Sequence, residues 1–443
     1  INIAMTLSLV LITCSSSIFA QSNDDMLEVD LAFLSKSGFS LKPEDLKNWL
    51  SRKSKGSFTE SEIAKALDDI KSPTIETRTR GIMTITSMGP TGKPALRNLE
   101  NSSEGLIKAL AKNCLDIMNS PSSRTETAVI RVLASNSPDL AIQGILEISP
   151  IIDDEIALDF ARKTLFELTW AKSSPNQLIL EALDSPSKTQ RLLAWEMLIP
   201  AQKLLARDLF QSRIKDESPE VRFLIASTLA RNLNALGFET LIELTAVLSD
   251  SKAQEAEDVL LDIVGDLAPQ DIMKNKNTPK NNSVIWKKWW SELNGENLLL
   301  QFTKKIPNQE DQKKIKDLIR ELGDDKFEVR EKASSKIKGL GDLVVPTLRS
   351  LTNSTDVEIK GRAKALLEEM GESKSKPVSS SLVKILALKN TKGFLGALLA
   401  YLPVAESDEQ FSDFLESAIL YARKQPTASP EALELLDSEN PRV

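Results

Sequence analysis

Histidine is missing from all 443 residues, and only two cysteines and two tyrosines occur. Without imidazole there is no Ser-His-Asp triad, no Cys-His dyad, no His-ligated zinc and no histidine pH switch. Aromatic residues are 5% of the chain and glycines number 17, which argues against a turn-rich all-β protein. Positive charge is not in excess: 56 Lys and Arg stand against 63 Asp and Glu, a net charge of −7. No chain-wide attraction to nucleic acid is therefore expected. No apolar run approaches the roughly 20 residues of a bilayer-crossing helix, so no transmembrane span is expected. What is present is ordinary: 41% apolar and 27% charged residues, the balance of a folded soluble chain. The length exceeds a single core, which stops growing at about 250–300 residues, so several domains or a repeat array are expected.

The first residues have their own character. Met5–Ile12 is a short apolar run, followed by small polar residues and Phe19-Ala20-Gln21, with no charge before Asp24. The pattern reads as a signal peptide over residues 1–20, and implies export to the periplasm or beyond. Two other readings are a lipoprotein signal acylated at Cys14 and a buried N-terminal helix. Residues 21–45 form a lead-in. After cleavage Cys114 would stand alone, with no partner for an intramolecular disulfide.

Self-similarity dominates the rest. Shifted by 252 positions, Ile70–Met118 matches Leu322–Met370 without a gap at sixteen of 49 positions. Chance would give about three. The identities include Glu76/Glu328, Arg78/Arg330, Ile85/Ile337, Gly89/Gly341, Pro94/Pro346 and Ala111/Ala363. Weaker likeness extends over residues 46–190 and 298–443, two copies of a unit of about 145 residues. The second copy stops where the first continues, so a cut in mid-repeat is expected. Within each copy short apolar stripes spaced by four alternate with tight turns, as in Val329, Ala333 and Ile337 followed by Gly341. Ser72-Pro73, Ser185-Pro186 and Ser218-Pro219 read as helix starts, with Ser as N-cap and Pro in the first turn.

Asp216-Glu217-Ser218-Pro219-Glu220-Val221-Arg222, with Ala226, Leu229 and Ala230, resembles a HEAT repeat. So do Asp325–Arg330 with Ala333, and Asp437–Val443. The resemblance implies an all-α solenoid of antiparallel helix pairs, each pair supported by its neighbours. It also implies a structural ladder of turn Asp and helix Arg, which would fall to Asp216, Arg222, Asp325 and Arg330. Arg78 departs from the pattern, having Ser72-Pro73 in place of the acid. The layout further resembles secreted bacterial HEAT-repeat proteins without assigned function, in which a W-x-x-W-W segment follows the repeats. Here that segment is Trp286-Lys287-Lys288-Trp289-Trp290.

This segment is the most unusual local composition. Lys274, Lys276, Lys280, Lys287 and Lys288 occur with no acid between Asp271 and Glu292, and Trp286, Trp289 and Trp290 share a helical face. One reading is a patch for an anionic polymer, built on cation–π and stacking contacts. The other is a helix buried by its Trp face, with Lys in water. Gly89-Pro-Thr-Gly-Lys93 fails as a phosphate loop, because Pro94 stands where Ser or Thr must hold Mg²⁺. The Ser-x-x-Lys spacings at Ser335–Lys338 and Ser381–Lys384 lack the Ser-Asp-Asn and Lys-Thr-Gly that penicillin-recognising enzymes require. Asp153-Asp154-Glu155 and Glu406/Asp408/Glu409 lack the alternation and central Gly of a calcium loop, and read as helix N-termini. Cys114 aligns with Leu366 and reads as a small buried hydrophobe.

The expected organisation is a HEAT-like segment over residues 46–297, including the Trp/Lys-rich stretch 274–297, and a second over 298–443. No cofactor or metal is expected. The expected function is a non-enzymatic scaffold outside the cytoplasm that binds a protein or peptide. Alternatives are a binder of an anionic polymer or envelope surface, and a carboxylate-based enzyme or one with its catalytic domain C-terminal to residue 443.

Overall fold

The computed structural model describes residues 25–119, 123–205, 207–274, 278–371 and 378–424. The signal-like segment with Cys14, residue Lys276 and the HEAT-like stretch Asp437–Val443 lie outside them. The described residues form helices and turns, with no strand. They divide into two compact units, residues 1–205 and 206–443. The first holds α1 (25–36), α2 (Pro43–Ser54), α3 (Glu60–Lys71), α4 (Ile75–Ser87), α5 (Lys93–Ser102), α6 (Gly105–Asn119), α7 (Ser123–Asn136), α8 (Pro138–Ile148), α9 (Glu155–Thr169), α10 (Gln177–Ala182) and α11 (Lys188–Leu198). The second holds α12 (Arg207–Arg213), α13 (Pro219–Arg231), α14 (Ala235–Leu244), α15 (Asp250–Val264), α16 (Gln270–Lys274), α17 (Pro279–Glu292) and α18 (Gly295–Thr303). It continues with α19 (Gln309–Leu322), α20 (Phe327–Gly339), α21 (Val345–Leu351), α22 (Val357–Glu369), α23 (Ser380–Leu388), α24 (Phe394–Tyr401) and α25 (Asp408–Ala422).

The duplication holds element by element. Helices α2–α9 and α18–α25 follow in the same order, with short 3₁₀ turns at matching places, Gly89–Gly92 with Gly341–Leu343 and Ser149–Ile151 with Leu402–Val404. The offset is 252 from α4 (Ile75 to Phe327) and 253 by α9 (Glu155 to Asp408). The cores match too. Around α3–α6, Ala66, Ile70, Ile85, Leu96, Ala111, Cys114 and Leu115 pack together; around α19–α22 the same places hold Leu318, Leu322, Ile337, Leu348, Ala363, Leu366 and Leu367. The likeness reaches further towards the N-terminus than the identities do. In α1 Asp30 and Leu34 are buried, and in α17 so are Asn282 and Trp286, each 252 residues on.

Local chemistry explains the helix boundaries. Thr59 and Glu62 form a reciprocal capping box at α3, and Ser218 accepts from the Val221 N–H at α13. At Ser72-Pro73 and Ser185-Pro186 the helices start later than the Ser-Pro pattern predicts, after Thr74 and Ser187. The reason is an arginine at the fourth helical position. Arg78 Nη1 donates to the carbonyls of Ser72 (2.9 Å) and Pro73 (2.8 Å), and Arg191 Nη1 to those of Ser185 (2.8 Å) and Pro186 (3.3 Å). Arg330 does the same to Asp324 (2.8 Å) and Asp325 (3.0 Å). This clamp reads backbone oxygens, so Ser72-Pro73 serves as well as Asp324-Asp325. Gly89 and Gly341, both with positive φ, end the helices before them.

Packing departs from strict neighbour-on-neighbour stacking in one respect. Helix α2 lies against α4, but also against α7 and α8, far along the chain. Its Lys47 pairs with Glu147 at 3.0 Å. The α3–α4 and α5–α6 pairs therefore form a module of their own, and α2 closes onto α7–α8. In the second copy α18 lies against α23 and α24 in the same way.

Burial raises the Cys114 thiol to about 12 from an ordinary value of 9.0. The folded value lies above the unfolded one, so this contribution is intact below pH 9 and is lost as pH rises towards 12. Unfolding at pH 8, 9.5 and 11 should show stability falling by about 1.4 kcal/mol per pH unit above 9. Cys114→Ala should flatten that part of the slope. Burial beside Glu406 also raises the Tyr401 phenol, which adds to the fall above its ordinary value of 10.0.

Candidate functional site

The Trp/Lys segment folds as α17, started by Thr278 and Pro279. Its aromatic face turns inward. Trp286 is fully buried and its Nε1–H donates to Glu257 Oε1 on α15 at 2.9 Å. Asn282 Nδ2 donates to the same oxygen at 2.9 Å, so the buried Glu257 carboxylate is held by two neutral donors. Trp290 is 8% exposed, lies 4.6 Å from the Phe238 ring and donates to Glu239 Oε1 at 3.0 Å. Lys389 Nζ sits 3.7 Å over the Trp290 ring and donates to the Trp290 carbonyl at 2.5 Å. Burial lowers the Lys389 pKa.

The predicted patch is thus not assembled on one surface. Lys287 and Lys288 are exposed, Trp289 is half-buried, and Lys280 pairs with Asp250 at 2.9 Å. Lys274 is the last residue of α16. Tryptophan at helical spacing chose the interior because its ring area outweighs its single N–H, and Glu257 and Glu239 satisfy that N–H.

Of the residues assigned to a ladder, Asp216 and Asp325 lie in turns, and Arg222 and Arg330 stand at the fourth position of the helices that follow. Asp216 Oδ1 accepts from the Ser218 N–H at 2.8 Å, and Arg222 Nε is buried without a hydrogen-bond partner. Asp325 offers its carbonyl to Arg330, whose Nε pairs with Glu358 Oε1 at 3.0 Å on the following pair. Glu358 also takes Arg362 at 2.6 Å, and Arg362 reaches Glu331 at 2.9 Å. Both arginines lie about 6 Å from the centre of the Phe327 ring, at 5.8 and 6.0 Å. The corresponding positions of the first copy are Leu106, Leu110, Thr79 and Ile75. Ile75 is 74% exposed, Leu106 59% and Phe327 62%. No single motif announces this surface, and only the comparison of the two copies brings it out.

Two hollows mark the first unit. One, of about 490 Å³, runs between α2 and α4 and is lined by Asp45, Asn48, Arg52, Glu76, Thr79 and Arg80. The other, of about 470 Å³, opens between the ends of α4, α6 and α8 and the starts of α5 and α7. Its floor holds Trp49, whose Nε1–H donates to Thr86 Oγ1 at 3.1 Å, and a buried pair of Lys53 with Glu126. The Gly89–Lys93 turn, which fails as a phosphate loop, forms one wall.

The acidic clusters lie at helix starts, with Asp154 capping α9 through the Ala157 N–H, and Asp408 and Glu409 in the first turn of α25. Among the described residues no group of three or more His, Cys, Asp or Glu is placed to hold a metal ion. No helix there is long and apolar enough to cross a membrane.

No known protein family matches the chain, and no curated protein does. Among solved structures, an engineered protein aligns over 88% of this chain and 98% of its own, with 13% identity and a TM-score of 0.19. An overlay that loose carries no argument. The helix pairs and the duplicated cores therefore rest on this chain alone, as an all-α repeat fold.

Proposed function

We propose that the chain is a HEAT-like, non-enzymatic scaffold that binds protein or peptide partners outside the cytoplasm. One observation carries the reading. The two copies keep one core, Ile85/Ile337, Leu96/Leu348, Ala111/Ala363 and Leu115/Leu367, while the exposed positions beside it are exchanged. Ile75 and Leu106 offer an apolar face in the first copy, and Phe327, Glu331, Glu358 and Arg362 a mixed charged face in the second. A shared frame with different faces suits a protein whose two copies engage different partner surfaces. The signal-like residues 1–20 support export.

A quantitative pull-down tests this, with the chain from Gln21 as bait and envelope extract as prey, at low and moderate salt. Partners held at moderate salt should be lost from an Ile75→Glu/Leu106→Glu bait. That bait should melt within about 0.5 kcal/mol of the parent, since both sites are exposed. Retention that disappears with salt and with Lys287→Glu/Lys288→Glu, but not with the first pair, would replace this reading with binding to an anionic polymer.

A further inference from the structure

The two copies hold equivalent modules in different ways. In the first, α3–α6 is tied through α4 and α6 to the chain before it. Ile82 and Met83 are buried there, and the Trp49 Nε1–H donates to Thr86 Oγ1 at 3.1 Å. The Ser40 N–H donates to Met83 Sδ at 3.3 Å, and Asn113 Nδ2 donates to the Ser37 carbonyl at 3.1 Å. None of these ties is kept in the second copy. Trp49, Ile82, Met83, Thr86 and Asn113 are replaced there by Gln301, Ser334, Ser335, Lys338 and Ala365, and all of these but Ser334 are exposed.

Module α19–α22 makes no extensive contact with α18. It has a core of its own, in which Leu318, Leu322, Ile337, Leu348 and Leu366 pack together. Among the described helices, its one extensive contact outside itself is made by α21, on the Leu402–Val404 turn. A single ion pair locks that contact. Arg349 Nη1 on α21 donates to both oxygens of Glu406, at 3.2 and 3.1 Å, and the two side chains are only 13% and 11% exposed. In the first copy the matching Arg97 and Asp153 are exposed, and no ion pair joins them.

A body with its own core, anchored at one place, can leave its dock without unfolding. A largely buried ion pair suits the anchor. With both charges present, their attraction offsets the lost hydration; with one removed, the other is left uncompensated and returns to water by opening the contact. We propose that α19–α22 is a hinged module, docked through α21 alone, and that Arg349–Glu406 is the latch that holds it. Phe327, Glu331, Glu358 and Arg362 all lie on this module, so their outer face moves with it. The hinge follows from the packing and holds whether or not the chain is a scaffold.

The test measures distances between spin labels in the full chain, with both native cysteines replaced by alanine. One label pair, Lys364→Cys with Glu416→Cys, spans the latch; its match in the first copy, Lys112→Cys with Lys163→Cys, is the reference. Glu406→Gln should replace a single narrow distance across the latch by a broad distribution, and leave the reference distance unchanged. Arg349→Gln should release the latch from its other side with the same result. Asp153→Asn, the matching change in the first copy, should move neither distance. Hydrogen exchange on the same variants should leave α20 and α22 as protected as in the parent, because the module stays folded when it swings. A narrow distance that survives both latch variants would overturn the proposal. So would loss of protection in α20 and α22, which would make the change local unfolding, or equal broadening by Asp153→Asn.

Discussion

Replacing Asp30 with asparagine is expected to cost the first unit about 3 kcal/mol, although the side chain keeps its size. Asp30 is fully buried on α1 and faces two arginines of α7. Arg124 Nη2 lies 3.0 Å from Oδ1, and Arg131 pairs with Oδ2. The arginines are packed besides, Arg131 4.6 Å over Phe160 and Arg124 4.9 Å over Phe33. Removing the carboxylate charge leaves two guanidinium groups crowded without compensation, which is far costlier than losing an exposed pair. Asparagine is native at the matching place of α17, but Asn282 there donates to Glu257 and needs no cation. Urea unfolding followed by circular dichroism reads the effect, with the exposed Asp68→Asn as a control expected within about 0.5 kcal/mol. Equal values for the two variants would contradict the buried triad.

Gly237→Ala should be as damaging, at about 3 kcal/mol, for a steric reason. Helix α14 crosses α13 at this glycine. A Cβ there would lie 2.5 Å from the Leu229 Cβ, 2.6 Å from the Ala230 nitrogen and 2.7 Å from the Ala226 oxygen. Two of these are backbone atoms, so the helices themselves must separate. Gly361→Ala in α22, with nothing within 4 Å, should instead stabilise by up to about 1 kcal/mol. Thermal unfolding of both variants gives opposite signs if the α13–α14 crossing is as close as described. A Gly237→Ala protein as stable as the parent would refute it. Gly81 plays the same part between α3 and α4, where the second copy carries the buried Ala333.

Much of this architecture could be read from residue order. The gapless match of Ile70–Met118 with Leu322–Met370 located two modules whose cores coincide, because buried positions tolerate few exchanges. Gly89 and Gly341 marked helix ends, because a positive φ there admits little else. The α1–α17 relation was not legible. It survives only as Asp30/Asn282 and Leu34/Trp286, pairs alike in burial but not in type. The return of α2 to α7 and α8 was hidden as well, since the stripe of Leu46, Trp49 and Leu50 requires a partner without naming it. Of the Ser-Pro pairs, Ser218-Pro219 does start its helix, whereas at Ser72-Pro73 and Ser185-Pro186 the helix starts two residues later, where an arginine clamp that acts through side-chain reach occupies the carbonyls. In the Trp/Lys segment, spacing showed a shared face; only Glu257 and Glu239, 29 and 51 residues from their tryptophans, show where that face points. The hollow floored by Trp49 has no sequence signal, for it is assembled from six helices, α2 and α4–α8.

We propose that one duplicated core carries two different outer faces. The most direct measurement exchanges them in the full chain, with Phe327→Ile, Glu331→Thr, Glu358→Leu and Arg362→Leu giving the second copy the face of the first. Unfolding and partner retention are then measured on the same preparation. Under the scaffold proposal stability falls by no more than about 1–2 kcal/mol, because the carboxylates of the lost ion pairs are half-exposed although their arginines are mostly buried, and the second copy gains the partners proposed for Ile75 and Leu106. A loss of several kcal/mol, or an unchanged set of partners, would mean that these residues serve the fold and not recognition.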